Sequence, residues 1–503
     1  MSTKLNVVAN FLGQGWTTLM NIGFVPVYAS YLGMEAIGLI GFFASLQVWI
    51  YLLDLGICAA VNREMARYSA GQYTASGIRE LMLPVEVVYC AIAAALALVA
   101  WLVLPALAAS WLNPVVLTRE MLIDSVRLLA LALLARWWGQ LYVAAIQGLQ
   151  QQVWLNAFTS AMATVRALGA VLILAVYGGN LGAFFQWQFA TAVVESVVLM
   201  LRFRRLLPAG RDATVFRLDR LKSIWRFAAG MFLGNSLGVA MAQTDKLVLS
   251  KLLSLETFGQ YMMAATLASG IAIFARPIVT AAYPRLVQDI AGDDEGALVR
   301  TYHQACQALA AAVLPAAMLL ILFSHAVVMV WSGSPSLAAQ IAAVTSLLAI
   351  GYTLNGLMYV PASLATAYGW TRLAVTLNAM SMLVVIPAII IGAKAGGMIG
   401  TAIAWILMNV IYVSLQTAFL HRRYLNAQKW VWLRDDVLRP LMFITLAALL
   451  LKALEPPELG RAGAVAWLAL VWPALVGAAV LALPSMRQSL RHWMFRAAKS
   501  LPR

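Results

Sequence analysis

Long apolar stretches follow one another along almost the entire chain of 503 residues. A transmembrane helix needs about 20 mostly apolar residues, and stretches of about that length occur about fourteen times here. They cover residues 8–33, 36–61, 81–105, 121–147, 153–177, 181–203, 224–250, 258–283, 303–331, 338–367, 370–393, 397–421, 438–454 and 463–483. Because 63% of the residues are hydrophobic and only 11% are charged, we predict an all-α polytopic membrane protein with about 14 transmembrane helices.

An internal repeat relates the start of the chain to its middle. With a shift of 221 positions, thirteen of fifty aligned residues are identical, and the alignment has no gap. Glu35 falls on Glu256 in this alignment. Gly38 likewise falls on Gly259. Internal repeats in apolar chains are typical of secondary transporters, whose substrate site lies between the repeats near the bilayer midplane.

The repeat also predicts how the chain is divided. Six predicted spans separate the two copies, so both copies enter the membrane in the same direction. We predict a six-helix N-terminal lobe over residues 1–210 and a parallel six-helix C-terminal lobe over residues 211–425. An appended transmembrane pair and a basic tail would follow over residues 426–503. The two lobes should be related by a pseudo-two-fold axis along the membrane normal.

The distribution of basic residues predicts the orientation in the membrane. The formal net charge is +15, and 24 of the 35 lysines and arginines lie on one side of the predicted spans. Cytoplasmic loops are enriched in lysine and arginine, so both termini should be cytoplasmic. The same distribution explains the basic segments as contacts with membrane lipid headgroups. We therefore expect no nucleic-acid partner.

Signatures of metal, cofactor or nucleotide binding are missing from the sequence. The three cysteines and four histidines have no metal-ligand spacing. The chain also contains no phosphate-binding loop of the pattern G-x-x-x-x-G-K-[ST]. We expect neither a metal site nor a cofactor, and we expect transport to be driven by an ion gradient or by consumption of the product.

Three arginines inside predicted spans form the predicted substrate site. Arg136 and Arg166 lie mid-span, and Arg276 lies nearer the predicted cytoplasmic end. A guanidinium at the bilayer centre costs about 2.5–3.5 kcal/mol or more, so it should face a cavity or a partner. Its planar fork suits phosphate, which predicts a cationic cavity for an anionic group. Trp137 and Trp138 beside Arg136 could stack on sugar rings. The alternatives are that the arginines pair with acids that lock helices together, and that the tryptophans pack in the core.

Intramembrane acids are the candidates for ion coupling. A partly desolvated carboxylate favours its protonated form and can exchange a proton during transport. Glu86, Glu195 and Asp54 have no basic neighbour at helical spacing. Asp245 adjoins Lys246, which predicts a local partner. For all four acids, the alternative role is to lock helices together.

Several motifs resemble the polysaccharide (oligosaccharide) flippase family of the multidrug/oligosaccharidyl-lipid/polysaccharide exporter superfamily. The resemblance is carried by Leu32-Gly33-Met34-Glu35-Ala36-Ile37-Gly38-Leu39, by Leu53-Asp54-Leu55-Gly56, and by Asp245-Lys246-Leu247-Val248 with Glu256-Thr257-Phe258-Gly259. It implies an inner-membrane flippase that moves undecaprenyl-diphosphate-linked oligosaccharide, such as an O-antigen or exopolysaccharide unit, by alternating access. Ion coupling, a cationic central cavity, and polymerase and chain-length partners are implied in the same way.

Three other functions stay open from the sequence. Multidrug or cation antiporters of the same superfamily usually have twelve spans and smaller, more acidic sites. Lipid II flippases share fourteen spans but place arginines in the first two helices, and residues 5–61 contain no lysine or arginine here. A polytopic polymerase or ligase would need a sizeable extracytoplasmic loop with catalytic groups. Because the predicted outside loops are short, we expect a transporter and not an enzyme.

Overall fold

The computed structural model describes residues 3–207, 239–240, 243–426, 428–457 and 459–483. Within these ranges the chain forms helices joined by short turns, and it contains no strand. The chain divides into two compact units, Met1–Gly259 and Gln260–Arg503. The predicted span over residues 224–250 lies largely outside the described residues. The division into lobes at residues 210 and 425 stays a prediction.

The first unit contains eight complete helices in the described ranges. They are α1 (Thr3–Gly23), α2 (Val25–Leu32), α3 (Met34–Leu52), α4 (Ile57–Ser69), α5 (Ala75–Trp111), α6 (Arg119–Gly148), α7 (Gln152–Val176) and α8 (Leu181–Leu206). Helix α6 packs against α3, α4, α5, α7 and α8. Capping side chains fix where the central helices begin, because Thr118 accepts a hydrogen bond from the Met121 N–H. At the start of α8, the Asn180 side chain likewise accepts a hydrogen bond from the Ala183 N–H.

The remaining helices belong mainly to the second unit. They are α9 (Leu255–Ser269), which crosses the boundary, α10 (Ile271–Ala291), α11 (Glu295–Leu322), α12 (Ser324–Ser332), α13 (Pro335–Leu357), α14 (Tyr359–Ala367), α15 (Thr371–Tyr424), α16 (Gln428–Val431), a π-helix (Trp432–Leu438), α17 (Arg439–Ala453) and α18 (Arg461–Ala482). Helix α11 is central here, because α10, α13, α17 and α18 all pack against it.

Helix α15 is two membrane-spanning helices joined by a tight turn. The backbone of Gly396 (φ −145°, ψ 19°) and Gly397 (φ 54°, ψ −129°) is not helical. A Cβ atom on Gly392 would lie 2.5 Å from the carbonyl oxygen of Gly400, so the two arms touch through their backbones. The turn falls where the sequence predicts a break between residues 393 and 397.

The lengths and hydrophobicity of the helices show which class of protein this is. Ten helical segments among the described residues are long and apolar enough to cross a membrane. One of them, Val375–Tyr424, covers residues 375–393 of the first predicted span of α15 and all of the second. The prediction of an all-α, multi-pass membrane protein is therefore confirmed.

Candidate functional site

Helices α6, α7 and α8 each place one charged residue in a shared cluster inside the first unit. Arg166 on α7 donates from Nη1 to Oε2 of Glu195 on α8 over 3.4 Å, and 17% and 18% of the two side chains are exposed. Trp187 on α8 donates its indole N–H to the Arg166 carbonyl over 3.1 Å. A Cβ atom on Gly169 would lie 2.1 Å from the Trp187 ring. The absence of a side chain at Gly169 therefore lets α7 and α8 approach closely enough for the ion pair.

Arg136 on α6 is the second cation of this cluster. Its Nη2 donates to the Gln188 side-chain oxygen over 3.0 Å. Its buried Nε has no hydrogen-bond partner in the described part of the chain. The charges of Arg166 and Glu195 both act on Arg136. Among the described residues, only Arg166 forms an ion pair with Glu195, whereas Arg136 interacts with this carboxylate at longer range. Two guanidinium groups thus lie near one carboxylate, which leaves the cluster with an excess positive charge.

A phenol from α3 completes the cluster. The Tyr51 hydroxyl accepts a hydrogen bond of 2.6 Å from the Gln47 amide. Arg136, Glu195 and Arg166 all act electrostatically on Tyr51. Sequence reasoning missed Tyr51, Gln47 and Gln188. The available signal was their position within apolar spans, since Gln188 lies seven residues before Glu195 and so two helical turns away on nearly the same face.

The two tryptophans beside Arg136 have different environments. Trp137 is fully buried and stacks on Tyr89 with ring centroids 4.1 Å apart and an interplanar angle of 6°. Trp138 is partly exposed, donates to Cys90 Sγ over 3.2 Å and contacts Tyr142 edge-on. Trp137 presents no surface to a substrate in this conformation, as the core-packing alternative expects.

Arg276 belongs to the second unit. It is exposed on α10 and lies close enough to Tyr359 on α14 to interact with it electrostatically. Its place beside the other two arginines stays a prediction.

The predicted coupling acids, apart from Glu195, lie in separate settings. Asp54 follows α3, and its carboxylate accepts the Cys58 N–H at 3.0 and 3.1 Å, which caps α4. Asp245 is buried and pairs with Lys246 over 3.1 Å. Glu86 is half-buried beside Tyr142 and Arg204, and one of its oxygens has no partner among the described residues. Among the four predicted coupling acids, only Glu195 makes an ion pair with one of the predicted substrate arginines within the described chain.

Sequence comparison identifies the family. The sequence profile of the polysaccharide biosynthesis protein family matches residues 4–289, more than half of the chain, so the chain belongs to that family. The resemblance noted from the repeat motifs is therefore confirmed. No curated protein sequence matches the chain.

Solved structures of three transporters have a similar fold. The lipid II flippase MurJ, in an inward closed conformation, has a TM-score of 0.74 at 12% identity, covering 94% of this chain and 98% of that one. An inward-facing multidrug resistance MATE family transporter of the MOP superfamily has a TM-score of 0.64 at 14% identity, covering 81% and 95%. The MATE multidrug transporter DinF-BH has a TM-score of 0.61 at 15% identity, covering 84% and 96%. The chain therefore has the fold of this superfamily of membrane transporters.

Proposed function

We propose that the protein is a flippase that moves undecaprenyl-diphosphate-linked oligosaccharide repeat units across the bacterial inner membrane. Membership of the polysaccharide biosynthesis family and the fold of the MOP superfamily support this function. The charge distribution supports an orientation with both termini in the cytoplasm. Polymerase and chain-length proteins would then receive the flipped unit.

The observation that carries the proposal is the unequal number of cations and anions in the α6–α8 cluster. Arg166 pairs with the single carboxylate of Glu195, and Arg136 interacts with both charges electrostatically. The buried Nε of Arg136 has no partner in the described residues. Guanidinium groups bind phosphate oxygens through paired, charge-assisted hydrogen bonds. A diphosphate would neutralise the excess charge and satisfy the free donor, whereas a cationic drug would be repelled.

The same cluster suggests how transport is coupled to protons. Glu195 and an incoming phosphate compete for the guanidinium of Arg166, because both are anions. Protonation of Glu195 would release Arg166 for the substrate. Loss of that proton would restore the ion pair and help to expel the substrate. Alternating access would place the two events on opposite sides of the membrane.

Lipid II transport is a second candidate, supported by the fold similarity to MurJ over 94% of this chain. Lipid II also carries a diphosphate, so the arginine cluster fits both substrates. The absence of lysine and arginine from residues 5–61 favours the oligosaccharide substrate. A polymerase or ligase activity has no support from the family or the fold.

Lipid analysis of a deletion strain tests the proposal. We expect a complete undecaprenyl-diphosphate repeat unit to accumulate, protected from enzymes added on the periplasmic side. Accumulation of lipid II would instead support the second candidate. An unchanged lipid pool with increased sensitivity to cationic drugs would contradict both flippase candidates and would indicate a drug antiporter.

A further inference from the structure

A buried histidine–aspartate pair joins α11 to the π-helix in the second unit. His303 Nδ1 lies 2.5 Å from Asp436 Oδ2, and 13% and 1% of the two side chains are exposed. The two residues are 133 positions apart, so the pair is a tertiary contact. The π-helix leads directly into α17, and α17 packs on α18 and on α11. The pair therefore lies where the appended helices attach to the rest of the unit.

Two amides fix the proton positions in this pair. Gln307 on α11 donates to the other oxygen of Asp436 over 2.9 Å. The side-chain oxygen of Gln428 lies 3.1 Å from His303 Nε2. With the Gln428 oxygen oriented toward Nε2 and a carboxylate at Nδ1, both ring nitrogens of His303 donate. In this arrangement His303 is an imidazolium ion.

A second histidine in the same region has the opposite protonation pattern. His421 Nδ1 lies 2.9 Å from the Thr417 carbonyl oxygen, so this nitrogen donates. His421 Nε2 lies 3.3 Å from the Tyr302 hydroxyl and can accept its proton. His421 is therefore satisfied as a neutral ring. The exchangeable charge of the cluster belongs to His303 and Asp436.

Neighbouring groups set the electrostatic balance around the pair. Burial raises the pKa of Asp436, and the hydrogen bond from His303 offsets part of this increase. The titratable groups that act on the pair are Tyr302 and Cys306 on α11, His421 on α15 and Asp435 on the π-helix. Further out, Lys429 on α16 acts on His421, and Arg434 and Arg439 act on Asp435. Asp435 is neutralised by Arg434 at 2.8 Å, so it does not replace Asp436 as the partner of His303.

We propose that His303 and Asp436 form a proton-binding joint that holds the π-helix and the appended helices against α11. When His303 loses its proton, Asp436 keeps its hydrogen bonds but is left as a buried anion without a counter-charge. The lone pair of Nε2 then faces the Gln428 oxygen, which repels it. The joint therefore loosens as the pH rises. The π-helix is the element that would move, since single-turn π-helices are common at functional sites.

Hydrogen exchange of the full-length protein in lipid nanodiscs tests this joint without any substrate. Amide exchange of residues 428–438 would be measured at about pH 6 and about pH 8.5, on either side of the usual histidine range, and corrected for intrinsic rates. We expect wild-type exchange to be faster at the higher pH. The acceleration should be about tenfold for every tenfold by which the closed joint binds its proton more tightly than the opened joint. Other regions of the protein should change little.

Variants separate a proton-binding role from simple packing. His303→Gln and Asp436→Asn should each abolish the pH response. The double variant, which buries no charge, should be protected at both pH values, and it keeps the test valid if the single variants do not fold. The exposed histidine of α12, His325, gives the matched control His325→Gln, which should respond like the wild type. The proposal is wrong if the double variant keeps the wild-type pH response or if wild-type exchange does not change with pH.

Discussion

Gly38 and Gly259, equivalent positions of the sequence repeat, make reciprocal backbone contacts. A Cβ atom on Gly38 would lie 2.1 Å from the carbonyl oxygen of Leu255, and one on Gly259 would lie 2.2 Å from that of Met34. Met34 and Leu255 are themselves 221 residues apart, so the two contacts are related by the repeat. A symmetric contact of this kind explains why both copies carry glycine at this position.

Adding a methyl group at either glycine should destabilise the protein. Gly38→Ala and Gly259→Ala each push a Cβ atom into a carbonyl group that belongs to a helix start and cannot rotate away. Overpacking of this kind typically costs about 1–3 kcal/mol. Thermal unfolding of the purified variants measures the loss. Gly15→Ala is the control, because a Cβ atom there meets nothing within 4 Å, and its midpoint should not fall.

Glu35 should be essential for stability, whereas its repeat equivalent should not. The buried Glu35 carboxylate accepts the backbone N–H groups of Val115, Val116 and Leu117 at 2.5, 3.0 and 2.8 Å. Glu35→Ala leaves these donors without their acceptor and should cost about 2–4 kcal/mol. Glu256 is exposed, so Glu256→Ala should change the unfolding free energy by less than about 0.5 kcal/mol. Equal losses in the two variants would contradict this assignment.

Arg136 and Arg166 should be required for substrate binding. Arg136→Ala and Arg166→Ala each remove charge-assisted hydrogen bonds to phosphate, and each should weaken binding by about 10- to 100-fold. Export of the lipid-linked unit in complemented cells measures the effect, with membrane insertion checked in parallel. Arg127→Ala is the control on the same helix, since Arg127 pairs with the exposed Asp124 at 3.5 Å. Normal export by the double variant would remove these arginines from the site.

Glu195 should set the pH dependence of transport. Glu195→Gln cannot compete with a phosphate as an anion, so Arg166 remains available to the substrate at every pH. We expect transport by this variant to lose its pH dependence and to slow at the release step. Proteoliposome transport across a pH series provides the measurement. Glu86→Gln should keep the wild-type dependence of transport on pH. If only Glu86→Gln loses that dependence, Glu86 and not Glu195 is the coupling residue.

Glu64 should stabilise the protein above acidic pH. Burial opposes ionisation of Glu64, but hydrogen bonds from Tyr73 and Arg63 and the charges of Arg63 and Arg67 together hold its pKa below the usual value. This contribution is present above the unfolded pKa of about 4.3 and disappears as pH falls through the lower folded value. Glu64→Gln should therefore unfold at a lower temperature than the wild type at neutral pH. The difference should shrink on acidification, and a constant difference would exclude an electrostatic origin.

The positions of many helices can be predicted from the sequence, because the bilayer requires each spanning helix to be apolar over about 20 residues. The break within α15 was predicted from two adjacent apolar stretches, and the structure places it at Gly396 and Gly397. The π-helix was not predicted, because the sequence Trp432–Leu438 differs little from that of an ordinary helix end. The role of Glu35 in capping the loop after α5 was also missed, since its partners are backbone groups about 80 residues away.

The sequence alone determined that the chain crosses a membrane many times, that it contains a repeat, and that Arg136 and Arg166 need partners. These conclusions follow from hydrophobicity and from the cost of burying charge, which depend on composition and not on contacts. Only the tertiary structure decided that Arg166 meets Glu195, that Arg136 meets Gln188, and that His303 meets Asp436. Each pair joins different helices, and the rotation of a helix about its axis is set by side-chain packing along its whole length.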